Sequence, residues 1–214
     1  MRIRDAVPTI GILCLTVTGC TTTHQGEAIP ATTTDNSTTT RSPVPSSDGE
    51  DDLPSHGAPK VNDILDTTRY QQDPCSILTA SQAQQKLNLP PQGEPEEDAL
   101  GKGCKWYNSS TRGEVEIGFL TGNPRGLSAF YEGNQQGKYP YFLPLPSIEG
   151  YPAIASDIED RRSRGICIVA VGVTDQLAFD VGLYLSQANV GKTEPCDKAA
   201  EVAALALQTM KEGA

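Results

Sequence analysis

Gly165-Ile-Cys-Ile-Val-Ala-Val-Gly-Val173, followed after Thr174-Asp175-Gln176 by Leu177-Ala-Phe-Asp-Val-Gly-Leu-Tyr-Leu185, decides the fold. Both runs are rich in β-branched and aromatic residues, and the connection is too short for anything but a hairpin. This pair reads as the centre of a sheet. Upstream, Val115, Ile117 and Phe119 alternate with Glu114, Glu116 and Gly118. That period of two buries one face and wets the other, as in an antiparallel sheet. Glu114 and Glu116 lie two residues apart on the wet side and read as a solvated strand face. Cys104-Lys105-Trp106-Tyr107 reads as a further strand, turning at Ser110 to Gly113. Glu149 to Ala155 reads as an edge strand, because Pro152 cannot donate to a ladder.

Helix signals flank these strands. Asp73-Pro74 pairs an N-cap residue with a first-turn proline. Thr79 with Gln82 makes a capping box for a helix running to about Leu87, stopped by Leu89-Pro90-Pro91. Gln92 to Gly103 reads as a polar loop. Asn123-Pro124 starts a helix with Leu127, Phe130 and Tyr131 on one side, broken between Gly133 and Gly137. Pro195-Cys196 opens the last helix, to about Met210. Its stripe of Ala199, Val202, Ala203, Ala206, Leu207 and Met210 would pack on the sheet. The predicted fold is α+β: an antiparallel sheet of five or six strands with packed helices.

The 214 residues carry a net charge of −10, with a pI near 4.6. Residues 63–214 hold 20 Asp and Glu against 13 Lys and Arg, a net of −7. A surface this acidic repels phosphate backbones, so no nucleic-acid partner is expected. The N-terminus reads as an export signal: Arg2 and Arg4, then an apolar run from Ala6 to Val17 too short for a comfortable membrane span. It ends Val17-Thr18-Gly19-Cys20, which resembles the lipobox of bacterial lipoproteins. The resemblance implies cleavage between Gly19 and Cys20 and a lipid on Cys20, with residues 1–19 the signal peptide. Two or three acyl chains, at about 0.8 kcal/mol per buried methylene, make a stable anchor. The partner so implied is a membrane, reached on its extracytoplasmic face.

Residues 20–62 read as the lipidated cysteine plus a disordered, acidic Thr/Ser/Pro-rich tether. At about 40 residues it would span roughly 35 Å as a coil. His24 and His56 both fall in it and read as solvated. The globular domain, 63–214, then holds no histidine, which removes Ser-His-Asp and Cys-His catalysis and His-ligated zinc from it. No metal and no cofactor is expected.

Apart from Cys14, in the export segment, and Cys20, four cysteines remain: Cys75, Cys104, Cys167 and Cys196. In an exported domain they imply two disulfides, with three possible connectivities. A helix-start cysteine is followed by a strand cysteine, then a strand cysteine by a helix-start one. That layout favours Cys75–Cys104 and Cys167–Cys196. A zinc site would ask for C-x-x-C spacing, which is missing.

Two stretches are candidates for chemistry. Tyr139-Pro-Tyr-Phe-Leu-Pro-Leu-Pro146 concentrates aromatics, and Tyr139, Tyr141 and Phe142 would line a groove for an apolar or glycan ligand; the alternative is packing over one edge of the core. Asp157, Glu159 and Asp160 offer carboxylates to a hydrolase; the small basic patch of Arg161, Arg162 and Arg164 after them reads as a charged hairpin turn, with an anion site as the alternative.

Asp73-Pro-Cys-Ser-Ile-Leu-Thr79, Gly103-Cys-Lys-Trp106, Glu149-Gly-Tyr-Pro-Ala153, Cys167-Ile-Val-Ala-Val-Gly-Val173 and Pro195-Cys-Asp197 resemble the DUF3558 lipoproteins of actinobacteria. The resemblance covers the whole domain and includes the lipobox and the Thr-rich tether. It implies a cell-envelope lipoprotein and carries over no catalytic residue. The expected function is a non-catalytic binding or accessory module of the envelope. The alternatives are a carboxylate-based hydrolase and a pure interaction or surface-antigen module. A raised carboxylate in a deep pocket near Tyr139–Leu145 would favour the hydrolase.

Overall fold

The computed structural model describes residues 52–213. The export segment, Cys20 and most of the expected tether lie outside them. Seven antiparallel strands form one sheet in the order β1-β2-β3-β7-β6-β5-β4. They are β1 (Glu94–Glu97), β2 (Lys102–Asn108), β3 (Gly113–Phe119), β4 (Tyr141–Ile148), β5 (Tyr151–Asp157), β6 (Ile166–Gly172) and β7 (Ala178–Tyr184). The β6–β7 hairpin is central, as its composition demanded.

Seven strands correct the expected five or six, and both additions are edges. β1 is Glu-Pro-Glu-Glu, wholly exposed and without an apolar alternation to announce it. β4 carries Pro144 and Pro146, which an edge strand tolerates because one row of its N–H groups faces solvent. Its presence moves β5 inward, so Pro152 is not on an edge. β5 pairs with β6 only across Ala153, Ile154 and Ala155, which leaves Pro152 clear of that ladder. Glu149 and Gly150, both at positive φ (50° and 91°), make the two-residue turn between β4 and β5.

One face of the sheet is covered by α3 (Pro195–Glu212), which packs on β6 and β7. The predicted stripe, from Ala199 to Met210, is entirely buried. It meets Val169, Val171, Phe179 and Val181, which share that face by strand alternation. The alanines let the helix sit close to the strands, and the bulk comes from Leu207 and Met210. Around it lie α1 (Thr68–Gln72), a 3₁₀ turn Pro74–Ile77 and a π-helical turn Gln82–Lys86. The capping box forms: Gln82 Oε1 accepts from Thr79 N at 2.7 Å, and Gln82 N donates to Thr79 Oγ1 at 3.2 Å. Asp73 makes no side-chain cap, and its carbonyl instead accepts from Ser76.

The cysteines pair as the layout favoured. Cys75–Cys104 joins the 3₁₀ turn to β2, and Cys167–Cys196 joins β6 to the first turn of α3, each across 29 residues. By loop entropy each contributes up to about 3.5 kcal/mol.

The other face is only half covered. α2 (Ser128–Gln135) lies over it, where Leu120, Leu127, Ile154, Ala170 and Ala178 form a second cluster with Phe130, Tyr131 and Phe142. The helix starts five residues after Asn123 and runs through Gly133 instead of ending there. The Tyr139 ring lies where a side chain at Gly133 would go.

Residues 54–61 correct the expected tether boundary. They form a strap against α2 and the β6–β7 turn, in which Val61 is 5% exposed. Ser55 N donates to Ser128 Oγ at 2.9 Å, and Val61 N donates to Asp175 Oδ1 at 2.8 Å. His56 is therefore part of the folded unit, its ring 3.2 Å from Gln135 Oε1. Val61 is buried in the larger core cluster, and Ala58 packs against the second. Among the described residues no helix is long and apolar enough to cross a membrane.

Candidate functional site

On the half-covered face, beyond the reach of α2, the strands β1, β2, β3, β7 and β6 stay open. Alternation puts Glu96, Gly103, Gly118 and Asp180 there in one row across the sheet, and Lys105, Glu116, Gly182 and Ile168 in the next. Three glycines in adjacent strands remove the side chains that would fill this face. A basin of about 470 Å³ results, with Asp180 at its floor, Ile168 and Tyr184 along one side, and Asp98 and Leu100 at the rim.

The glycines are not equivalent. A Cβ on Gly103 would meet the Ile117 carbonyl oxygen at 2.9 Å, and one on Gly118 would lie 3.1 Å from Asp180 Oδ1. These two positions admit the close approach of backbone and carboxylate that shapes the floor. A Cβ on Gly182 would make only ordinary contact, 3.5 Å from Glu116 Oε2.

Asp180 stands in a strand of apolar neighbours, with protein on most sides and a window to the basin. Burial pushes its carboxyl up from 3.8 to about 7. The charges of Asp98 and Glu116 push the same way, and the backbone N–H groups of Asp180 and Gly118 pull it back only in part. From β6 no charged side chain faces it, since Ala170 and Ile168 stand there. Among the described residues Asp180 has no Lys or Arg partner.

Glu114 and Glu116 are not the freely solvated pair that alternation suggested. Lys105 on β2 gathers them, with Nζ 2.6 Å from Glu116, 3.3 Å from Glu114 and 3.7 Å from Glu96. The Glu116 hydrogen bond holds the Lys105 ammonium well above its usual range, and burial raises Glu114. One cation thus serves three carboxylates, and the surplus charge faces the basin.

Of the predicted ligand-site residues, Tyr139 and Phe142 come together and Tyr141 does not join them. Tyr141 and Phe142 are neighbours on β4 and so point to opposite faces. Phe142 packs edge-on to Tyr131, with centroids 5.1 Å apart, and Tyr139 stacks between Phe130 and Phe142. Tyr141 lies on the α3 face, its hydroxyl 3.6 Å from Cys196 Sγ, under the Arg162 guanidinium at 3.8 Å. The aromatic run packs an edge and lines no common groove. Asp157, Asp160 and Glu159 are taken one each by Arg161, Arg162 and Arg164, the first two in bidentate pairs of 2.7–3.0 Å. The Arg162 hydrogen bonds hold Asp160 below its usual range. A carboxylate clamped in its ionised form is a poor general acid. This segment is a charged turn, with neither free carboxylates nor a free basic patch.

Asp180 was missed. The available signal was a charged residue between Phe179 and Val181, on the same strand parity as Gly182 and opposite that of the core residues.

A family model described as a protein of unknown function (DUF3558) matches residues 15–209. No curated protein and no solved structure matches.

Proposed function

The chain belongs to the DUF3558 family, and from that premise we propose that it is an exported protein, lipid-anchored through Cys20, whose domain binds a small ligand in the open-face basin. One observation carries the binding reading. α2 stops half-way across its face, and glycines leave a concavity where the sequence otherwise supplies core-filling side chains. Concave sites with a few convergent polar groups are the ordinary form of ligand pockets. Among the described residues no segment closes over the basin, whereas catalysis gains most where water is shut out. Binding without transformation fits better. Export and anchoring are supported by Val17-Thr18-Gly19-Cys20 and by the two disulfides, which persist in oxidising compartments.

The raised Asp180 carboxyl favours a second reading, a hydrolase with Asp180 as general acid and Glu116 as its ionised neighbour. Turnover of a chromogenic ester or glycoside, lost in Asp180→Asn, would establish it.

Two measurements test the main reading. Intact mass of the chain from the membrane fraction should show residues 1–19 absent, Cys20 acylated and four cysteines oxidised; an unacylated, longer chain overturns the anchor. Amide shifts of the isotope-labelled full chain, titrated with a mixed library of amines, alcohols, acids and sugars, should move Gly118 and Gly182 saturably. No response there overturns the binding site.

A further inference from the structure

We propose that the ligand of this basin is an organic cation, an amine whose ammonium sits beside Asp180 and whose carbon chain lies along Ile168 and Leu100. The inference rests on the binding reading and narrows it.

The charge inventory selects the sign. Asp180 lines the basin without a cationic partner, Asp98 stands at the rim, and Glu116 shares Lys105 with two other carboxylates. Among the described residues the one ammonium near the basin, Lys105, is already surrounded by carboxylates, so an anion arriving here would meet uncompensated negative charge. A cation would meet charge that lacks a counterpart.

The spacing selects the kind of cation. Among the described residues no three His, Cys, Asp or Glu side chains converge closely enough to hold a metal ion. The acids are spread over separate strands, with glycine backbone between them. A compact ammonium needs only one carboxylate and such neighbouring acceptors as it can reach with its remaining donors. The apolar atoms beside Asp180 give the rest of the molecule a surface. Ile168 faces the basin from β6, and Leu100 is 52% exposed at its mouth.

The geometry also assigns a depth. Gly118 brings backbone to within contact of Asp180 Oδ1, so the carboxyl is reached from the Gly182 side, where an added Cβ meets nothing closer than 3.5 Å. An unbranched amine fits this approach better than a quaternary one.

The test compares hexylamine, hexanol and hexanoate, matched in chain and differing in charge, titrated into the isotope-labelled full chain at about pH 8, where the amine is charged and Asp180 is ionised. Hexylamine should move the Gly118 and Gly182 amides at concentrations about tenfold below either of the others, and Asp180→Asn should remove about that factor. Should Asp180→Asn fail to fold, Glu116→Gln reads the same field and should weaken hexylamine several-fold. If hexanol or hexanoate binds as tightly as hexylamine, the cation inference falls and the binding site stands. If none of the three moves these amides but another library member does, the outcome is the same. If nothing moves them, both fall.

Discussion

The two faces of the sheet are cut from the same strands, and each residue's face is set by parity alone. On one parity stand Val115, Ile117, Phe119, Phe179, Val181 and Leu183, all under 6% exposed, closed over by α3 on β6 and β7 and by the 3₁₀ turn beside β3. On the other stand Gly103, Gly118, Glu116, Asp180 and Gly182, left open where α2 ends. The closed face concentrates what the chain uses for stability: the apolar stripe and both disulfides. The open face carries features that cost stability, namely an unpaired half-buried carboxyl and strand glycines with no side chain to pack. A face that spends stability on a charge and a concavity is where ligand contact is to be sought.

The comparison can be broken by substitutions of unequal size. Replacing Cys167 and Cys196 together by alanine should cost up to about 3.5 kcal/mol in chemical denaturation, from the loop entropy returned to the unfolded chain. Leu207→Ala should cost about 3 kcal/mol, because its site between α3 and the strands is fully buried and close-packed. Should either variant unfold at the wild-type midpoint, the closed face is not the seat of stability.

Asp180→Asn should have the opposite sign. The carboxyl titrates near 7 in the folded chain and near 3.8 when unfolded. The native state therefore holds this proton more tightly, and its contribution to stability falls as pH rises from about 4 to about 7, where the full penalty is reached. The amide carries no charge to desolvate. The variant should gain on the order of 1–3 kcal/mol at about pH 8 and close to nothing at about pH 4, read from unfolding midpoints at the two pH values. A loss at both would show that the carboxyl is structural. Smallest of all, Gly182→Ala should stay within about 0.5 kcal/mol of the parent by the same denaturation assay, since its new methyl meets only ordinary contacts.

Most of the closed face was legible in the chain. The β3 alternation, the β6–β7 hairpin and the α3 stripe are local patterns, and the cysteine layout follows from placing each cysteine on its own helix start or strand. What escaped notice is non-local or weakly patterned. Glu94–Glu97 becomes a strand because β2 offers it an edge, and nothing in Glu-Pro-Glu-Glu asks for one. Tyr141–Ile148 was hidden by its prolines. Tyr141 and Phe142 looked like one aromatic site because adjacency in sequence was taken for adjacency in space, whereas a strand sends neighbours to opposite faces. The basin was harder still. Each glycine looks ordinary in its own strand, and only the register of β2, β3 and β7 puts the three side by side with Asp180.

The strap has a mechanical meaning. A pull on the chain ahead of Asp52 reaches the domain first at Ser55, His56 and Val61, whose bonds run to Ser128 and Gln135 on α2 and to Asp175 in the β6–β7 turn. These are side-chain bonds that open one after another, while the strand ladders and both disulfides lie further along the load path. Under tension the molecule would lengthen by shedding this collar, about ten residues long, and the sheet with its basin would keep its shape.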